Sequence, residues 1–228
     1  QARSLARPST AQRAALGTTN LPGPEELTVE AIDGPSKYLK PLRVRFKQGG
    51  KPRAWDLVES HDAVCVLVYH RQKDAIVLVR QFRPAVYLRD QKEKETAPTG
   101  DNASPGFTLE LPAGLVDKKG KSRPQIAAEE VLEETGFKVD VKDVHLVNRY
   151  RASVGLIGTV HDVYYTEVND DMQVGEGGGL EEDGERIEVV YLNSRDVKKF
   201  LADSRKSVPA GLLYALQWFA MEHPHALK

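Results

Sequence analysis

The sequence predicts an α/β fold in which short strands alternate with helices around one core, and three stretches predict it. Two apolar runs, from Asp62 to His70 and from Ala75 to Gln81, flank the polar turn RQKD and read as paired strands. A helix with both of its stops written locally begins at about Arg123. Near the end, VPAGLLYALQWFAMEH places Leu212, Leu216 and Phe219 on one stripe of a second long helix, with Ser207 as its expected cap.

In chain order, residues 1–35 read as a tail: Arg3, Arg7 and Arg13 lie among Ser, Thr and Ala, with no acid before Glu25. That composition suits either an unstructured segment or the remnant of an organellar transit peptide, against a default expectation of a cytoplasmic protein. Residues 36–60 contain LRVRFKQ, Gly49-Gly50 and KPRAWDLV, an antiparallel hairpin about a glycine turn. Residues 61–228 form the main domain, with a polar, flexible insertion expected over 88–106. Within it, FTLELP from Phe107 is a short strand aimed at Pro112-Ala113-Gly114, and Lys138–Val147 and Val160–Val168 are expected as further strands. A glycine-containing loop, Ser153–Thr159, connects the last two, and Arg195–Ala202 is expected to be a short helix.

Composition excludes several classes. With 32 basic and 33 acidic residues the net charge is −1, so no global field attracts nucleic acid or an anionic membrane. No apolar run approaches the length of a membrane span. The single Cys65 sits in AVCVLVY and reads as a core thiol. His61, His70 and His145 have no second ligand at metal spacing, His223 and His225 fall at an end expected to fray, and His161 beside the glycine loop is expected to be structural, with a place in the pocket lining as its alternative. Tyr214 and Trp218 read as packing or subunit-interface residues.

The helix from Arg123 carries the chemistry. Ser122 is a good N-cap, Gln125 completes a capping box, Pro124 fits the first turn, and Gly136 offers a left-handed C-terminal stop. Ala128, Val131, Leu132 and Thr135 then form a buried stripe, which leaves Glu130, Glu133 and Glu134 together on the other side. Such a face is either solvated, at a cost of only about 0.2–0.5 kcal/mol per like-charged pair, or a site for hard divalent cations, which take carboxylate oxygens. A second acidic concentration, GEGGGLEEDGERIE over Gly175–Glu188, reads as a flexible, glycine-rich loop.

The stretch from Gly114 to Phe137 resembles the Nudix hydrolase signature, G-x5-E-x7-R-E-U-x-E-E-x-G-U, with U an apolar residue. Gly114, Glu130, Val131, Glu133, Glu134, Gly136 and Phe137 match it. Three features depart: the loop after Gly114 is one residue longer, Lys121 stands where the first glutamate belongs, and Glu129 replaces the arginine. Lys121 and Glu129 are therefore expected to form the same ion bridge with its charges exchanged. The resemblance implies an α/β/α sandwich around a mixed sheet, with Mg²⁺ (or Mn²⁺ in its place) held by Glu130, Glu133, Glu134 and the Ala113 carbonyl. It implies further that Glu133 and Glu134 belong to the catalytic set, with Asp183 or Glu185 as the water-activating carboxylate. Arg83 at the strand end QFRP, Gly114 and Gly155 would contact substrate. The features resemble most the branch that hydrolyses nucleoside diphosphate sugars, with UDP-glucose expected, ADP-ribose or ADP-sugars as the alternative, and a non-catalytic nucleotide-sugar sensor as a second. In that branch the N-terminal hairpin reaches across a homodimer, so a homodimer is expected here.

Overall fold

The computed structural model describes residues 19, 21–36, 39–92, 105–203 and 207–224, apart from the side chain of Asp183. Strands β1 (Lys40–Gln48) and β2 (Lys51–Glu59) pair antiparallel as a separate ribbon. Gly49 and Gly50, with φ of 57° and 76°, supply the turn that a right-twisted hairpin needs.

The main sheet has seven strands. Strands β3 (Ala63–His70) and β4 (Ala75–Phe82) leave the RQKD turn as a hairpin, but pair only from Val68↔Val77 to His70↔Ala75. Beyond that point they part, and the chain from Phe107 to Leu115 fills the gap. Its first half, β5 (Phe107–Glu110), pairs with β4, and its second, β6 (Ala113–Leu115), pairs with β3. Pro112, which has no amide to offer a ladder, sits at the crossover, where its carbonyl accepts from the Val66 N–H at 2.9 Å. This split delivers Glu110, Ala113 and Gly114 to the mouth of the sheet. Strand β8 (Val160–Val168) lies parallel to β3, β7 (His145–Arg151) antiparallel to β8, and β9 (Ile187–Asn193) antiparallel to β4, so the sheet is mixed.

Period-two alternation sends the two faces of these strands into two cores. Leu67, Ile76, Leu78 and Leu192 meet Val197 and Phe200 of α3 (Val197–Ala202) and Leu212, Leu216 and Phe219 of α4 (Ala210–Glu222). Val64, Val66, Val68 and Val77 meet Ile126, Ala127 and Val131 of α2 (Arg123–Thr135) on the other face. The result is the expected α/β/α sandwich. Among the described residues no helix is long and apolar enough to cross a membrane.

Several expectations are corrected. Part of the anticipated insertion is helix: α1 spans Pro84–Lys92, started by a proline whose missing amide costs nothing in a first turn. Residues 93–104 lie outside the described set, but Gly106 on their far side is pinned to α1, its N–H donating to Asp90 Oδ2 at 2.9 Å and its carbonyl accepting from the Arg83 N–H at 2.7 Å. The strand expected from Lys138 begins only at His145, because Val141–Asp143 forms a 3-10 turn. Pro209, not Ser207, caps α4. A short 3-10 turn, Ser194–Asp196, precedes α3. His223 is not frayed; it stacks on Phe219 with ring centroids 4.6 Å apart. His161 is half-buried between Tyr150 and Thr159, a packing position, and Cys65 is buried.

Candidate active site

Helix α2 is built as its local signals require. The Ser122 N–H donates to Gln125 Oε1 at 2.8 Å, and Gly136 closes the helix at φ 77° with its N–H on the Leu132 carbonyl. The distribution of its side chains differs from the expected stripe. Leu132 is 37% exposed, whereas Glu130 and Glu134 are buried, at 9% and 4%. The buried sector extends to Ile126 and Ala127 and takes in two acids, because the helix leans on the split between β3 and β4 rather than on an uninterrupted sheet.

These acids are held by what surrounds the split. Glu134 Oε2 accepts from the Ala113 N–H at 3.1 Å. Burial, reinforced by the carboxylates of Glu130, Glu185 and Glu110, still pushes the Glu134 carboxyl up to about 9. Glu130 is likewise raised by burial, against the opposing pull of the Lys118 ammonium. Gly114 is dictated by this packing, since a Cβ there would stand 2.2 Å from Glu130 Cδ.

Lys118 was not anticipated. Its Nζ lies 3.1 Å from Glu130, 3.4 Å from Glu129 and 3.5 Å from Glu133, so one ammonium faces three carboxylates. The charge-exchanged bridge is present as expected, with Lys121 Nζ 2.7 Å from Glu129 Oε2, and it holds the Glu129 carboxyl below its ordinary range. Reversing one partner, as in Lys121→Glu or Glu129→Arg, is expected to lose about 0.5–1 kcal/mol in urea unfolding. The double variant should recover part of the loss; recovery is incomplete because the introduced guanidinium then faces Lys118.

Arg83 reaches the site from the end of β4, clamped by Glu110 through bonds of 2.8 and 2.7 Å. This clamp, with Thr108 Oγ1 donating to the same carboxylate, fixes the guanidinium plane. Among the described residues two of its five N–H donors are used, which leaves an edge for an anion. Glu134 and Glu185 both lie within electrostatic reach of that guanidinium.

The glycine-rich loop is not slack. The N–H groups of Gly178 and Gly179 donate to the carbonyls of Glu134 and Glu133 at 3.0 and 3.1 Å, and those of Val174 and Gly175 to Gly136. The loop thus satisfies the last carbonyls of α2, and Gly177 is needed for the close approach: a Cβ there would stand 2.4 Å from the Glu134 carbonyl oxygen. It then forms a 3-10 turn at Glu181–Asp183 and returns Glu185, whose Oε2 accepts from the Leu180 N–H at 2.9 Å. The Glu185 carboxylate adds to the upward push on both Glu130 and Glu134, so it lies within electrostatic reach of the acid cluster. The side chain of Asp183 lies outside the described residues. The Gly155 carbonyl accepts from the Trp55 indole of the hairpin at 2.8 Å.

The carboxylates of Glu130, Glu133 and Glu134 are hard oxygen donors suited to Mg²⁺. Among the described residues no three such side chains close into a finished cage; the Lys118 ammonium sits instead against Glu130 and Glu133, with Glu129, while Glu134 is held by the Ala113 N–H. The donor chemistry therefore fits a divalent ion.

Grouped acids on a helix lodged in a split sheet, with a clamped guanidinium alongside, are the groups that a hydrolase of phosphate-bearing substrates needs. Residues 59–211 match the family described as the NUDIX domain. Uridine diphosphate glucose pyrophosphatase NUDT14 of Bos taurus is 34% identical over 197 residues, covering 81% of this chain and 89% of the bovine protein. The Mus musculus protein of the same name is 34% identical over 211 residues, 84% of this chain and 95% of its own length. GDP-mannose pyrophosphatase of Cronobacter sakazakii is 30% identical over 138 residues, 60% of this chain and 62% of the bacterial protein. The chain belongs to the Nudix family.

Proposed function

We propose that the protein hydrolyses the phosphoanhydride of a nucleoside diphosphate sugar, taking UDP-glucose to UMP and glucose 1-phosphate. The observation that carries this reading is the burial of Glu130 and Glu134 beside Glu133, Glu185 and Arg83 at one mouth of the sheet. Near-full-length similarity to two uridine diphosphate glucose pyrophosphatases supports the substrate.

Glu130, Glu133 and Glu134, with the Ala113 carbonyl, would hold Mg²⁺, for which Mn²⁺ can substitute. When bound, the ion neutralises the diphosphate and lowers the pKa of a coordinated water. The chain's own residues do the rest. Arg83, its plane set by Glu110, offers its remaining donors to a phosphate oxygen pair. Glu185 takes the proton from the attacking water; the water oxygen bonds to phosphorus as the bridging P–O bond breaks, and the displaced phosphate leaves as an anion. Glu185 is assigned this role because its carboxylate acts on both Glu130 and Glu134 from the docked loop; Asp183, on the same loop, is the alternative.

The test is product release from UDP-glucose, GDP-mannose, ADP-glucose and ADP-ribose with Mg²⁺ and with a chelator. UDP-glucose should turn over fastest and the chelator should abolish turnover. Nucleotide-sugar binding without product release would identify a sensor instead.

A homodimer accompanies this reading. Leu42, Val44 and Phe46 of β1 lie opposite Leu57, Trp55 and Arg53 of β2, so one face of the ribbon is largely apolar, and Trp55 is 49% exposed. A two-stranded ribbon is marginal alone, and an apolar face on which Val44, Phe46 and Trp55 stay exposed suits a second copy. Phe46→Asp is expected to weaken the dimer by about tenfold or more in analytical ultracentrifugation; an unchanged association constant would remove the ribbon from the interface.

A further inference from the structure

We propose that Lys118 is a resident counter-cation of the acidic helix face, which a divalent ion must displace, so that this one side chain sets the metal concentration at which the site fills. The inference rests on the metal-binding reading above, and concerns what opposes that binding.

The geometry is specific to Lys118. It lies on the loop between β6 and α2, its stem half-buried, and its ammonium faces Glu129, Glu130 and Glu133 at once. Three donors on a compact head can serve three acceptors. Glu129 also holds Lys121 at 2.7 Å, so it stays paired if Lys118 leaves. Glu130 is different: among the described residues Lys118 is its ion-pair partner, and the carboxylate is buried. Departure of Lys118 would leave that charge uncompensated unless another cation arrived. A divalent ion on Glu130 and Glu133 must use oxygens that Lys118 now contacts, and two cations against the same oxygens repel strongly in a partly desolvated site. Exchange is mechanically simple, because lysine has a flexible four-carbon stem. Lys119 next door is exposed, and the ion pairs of these acids among the described residues go to Lys118 and Lys121, which makes Lys119 a matched control for charge.

Two measurements test this. In calorimetric titrations with Mg²⁺ and Mn²⁺, Lys118→Met should bind about tenfold or more tightly than the wild type, and melt at a lower temperature in chelator, while Lys119→Met matches the wild type. Unchanged or weaker binding by Lys118→Met would overturn the proposal. The second measurement needs no variant. Acylation of wild-type lysines, read by mass spectrometry, should be slow at Lys118 in chelator and accelerate several-fold with Mg²⁺ relative to Lys119. Persistent protection of Lys118 alongside measurable Mg²⁺ binding would overturn it too. Absence of any divalent binding by the wild type would instead refute the metal reading on which the proposal stands.

Discussion

Glu134→Gln is expected to lower turnover of UDP-glucose by about 100-fold or more and, in the same protein, to raise stability without metal. The first effect follows from removing a charged oxygen of the metal-holding set, the second from no longer burying a carboxylate that is only 4% exposed. With its folded-state pKa raised from 4.5 to about 9, the group favours folding fully below pH 4.5 and loses that contribution as pH climbs to about 9. The cause is burial first, then the Glu130, Glu185 and Glu110 carboxylates, which the Ala113 N–H only partly offsets. At pH 7 a neutral amide that keeps the Ala113 bond should therefore gain about 2 kcal/mol in chelator, or roughly 4–8 °C in Tm. The gain should shrink toward pH 5, where the wild-type carboxyl is protonated at little cost. Melting curves at several pH values, with and without Mg²⁺, check it. Near wild-type turnover, or a melting temperature lowered at pH 7, would contradict the assignment.

Gly136→Ala is expected to be among the most destabilising single substitutions, costing about 3 kcal/mol or more and roughly 6–12 °C in Tm. Its φ of 77° already strains a side chain, and a Cβ there would stand 2.1 Å from the Gly175 carbonyl oxygen and 2.9 Å from the Gly177 nitrogen. Those are backbone atoms of the loop that caps α2, so neither can swing away. Because the same loop carries Glu185, pushing it off should lower kcat more than it weakens divalent binding by the helix carboxylates. Differential scanning calorimetry and steady-state kinetics check both parts, and a Tm within about 2 °C of the wild type would refute the close-approach argument.

Features whose signals are local were legible in the sequence. The caps of α2, the paired strands about RQKD, the glycine turn of the hairpin and the Lys121–Glu129 bridge depend on residues a few positions apart or on a match to a short signature. What escaped reading depends on long-range placement. Nothing in the order of residues says that β3 and β4 part after three pairs, so neither the burial of Glu130 and Glu134 nor the exposure of Leu132 follows from helical periodicity. The Glu110 clamp on Arg83 spans 27 residues and crosses from one strand to another. Three glycines in a row read as slack when each local conformation is considered alone; their role appears only against the helix terminus, which Gly177 approaches closely and to which the Gly178 and Gly179 N–H groups donate. Lys118 had a signal that went unused: a lysine four residues after Gly114, on a loop that must return beside the acids. Pro84 was a comparable signal for α1.

The central claim is that the acids of α2 grip a divalent cation for a nucleotide's diphosphate, and anomalous diffraction from crystals grown with Mn²⁺ tests it most directly. The account predicts a manganese peak within roughly 2.0–2.3 Å of oxygens from Glu130, Glu133 and Glu134, with Lys118 turned away. A peak elsewhere, with Lys118 still bridging Glu129, Glu130 and Glu133, would contradict it.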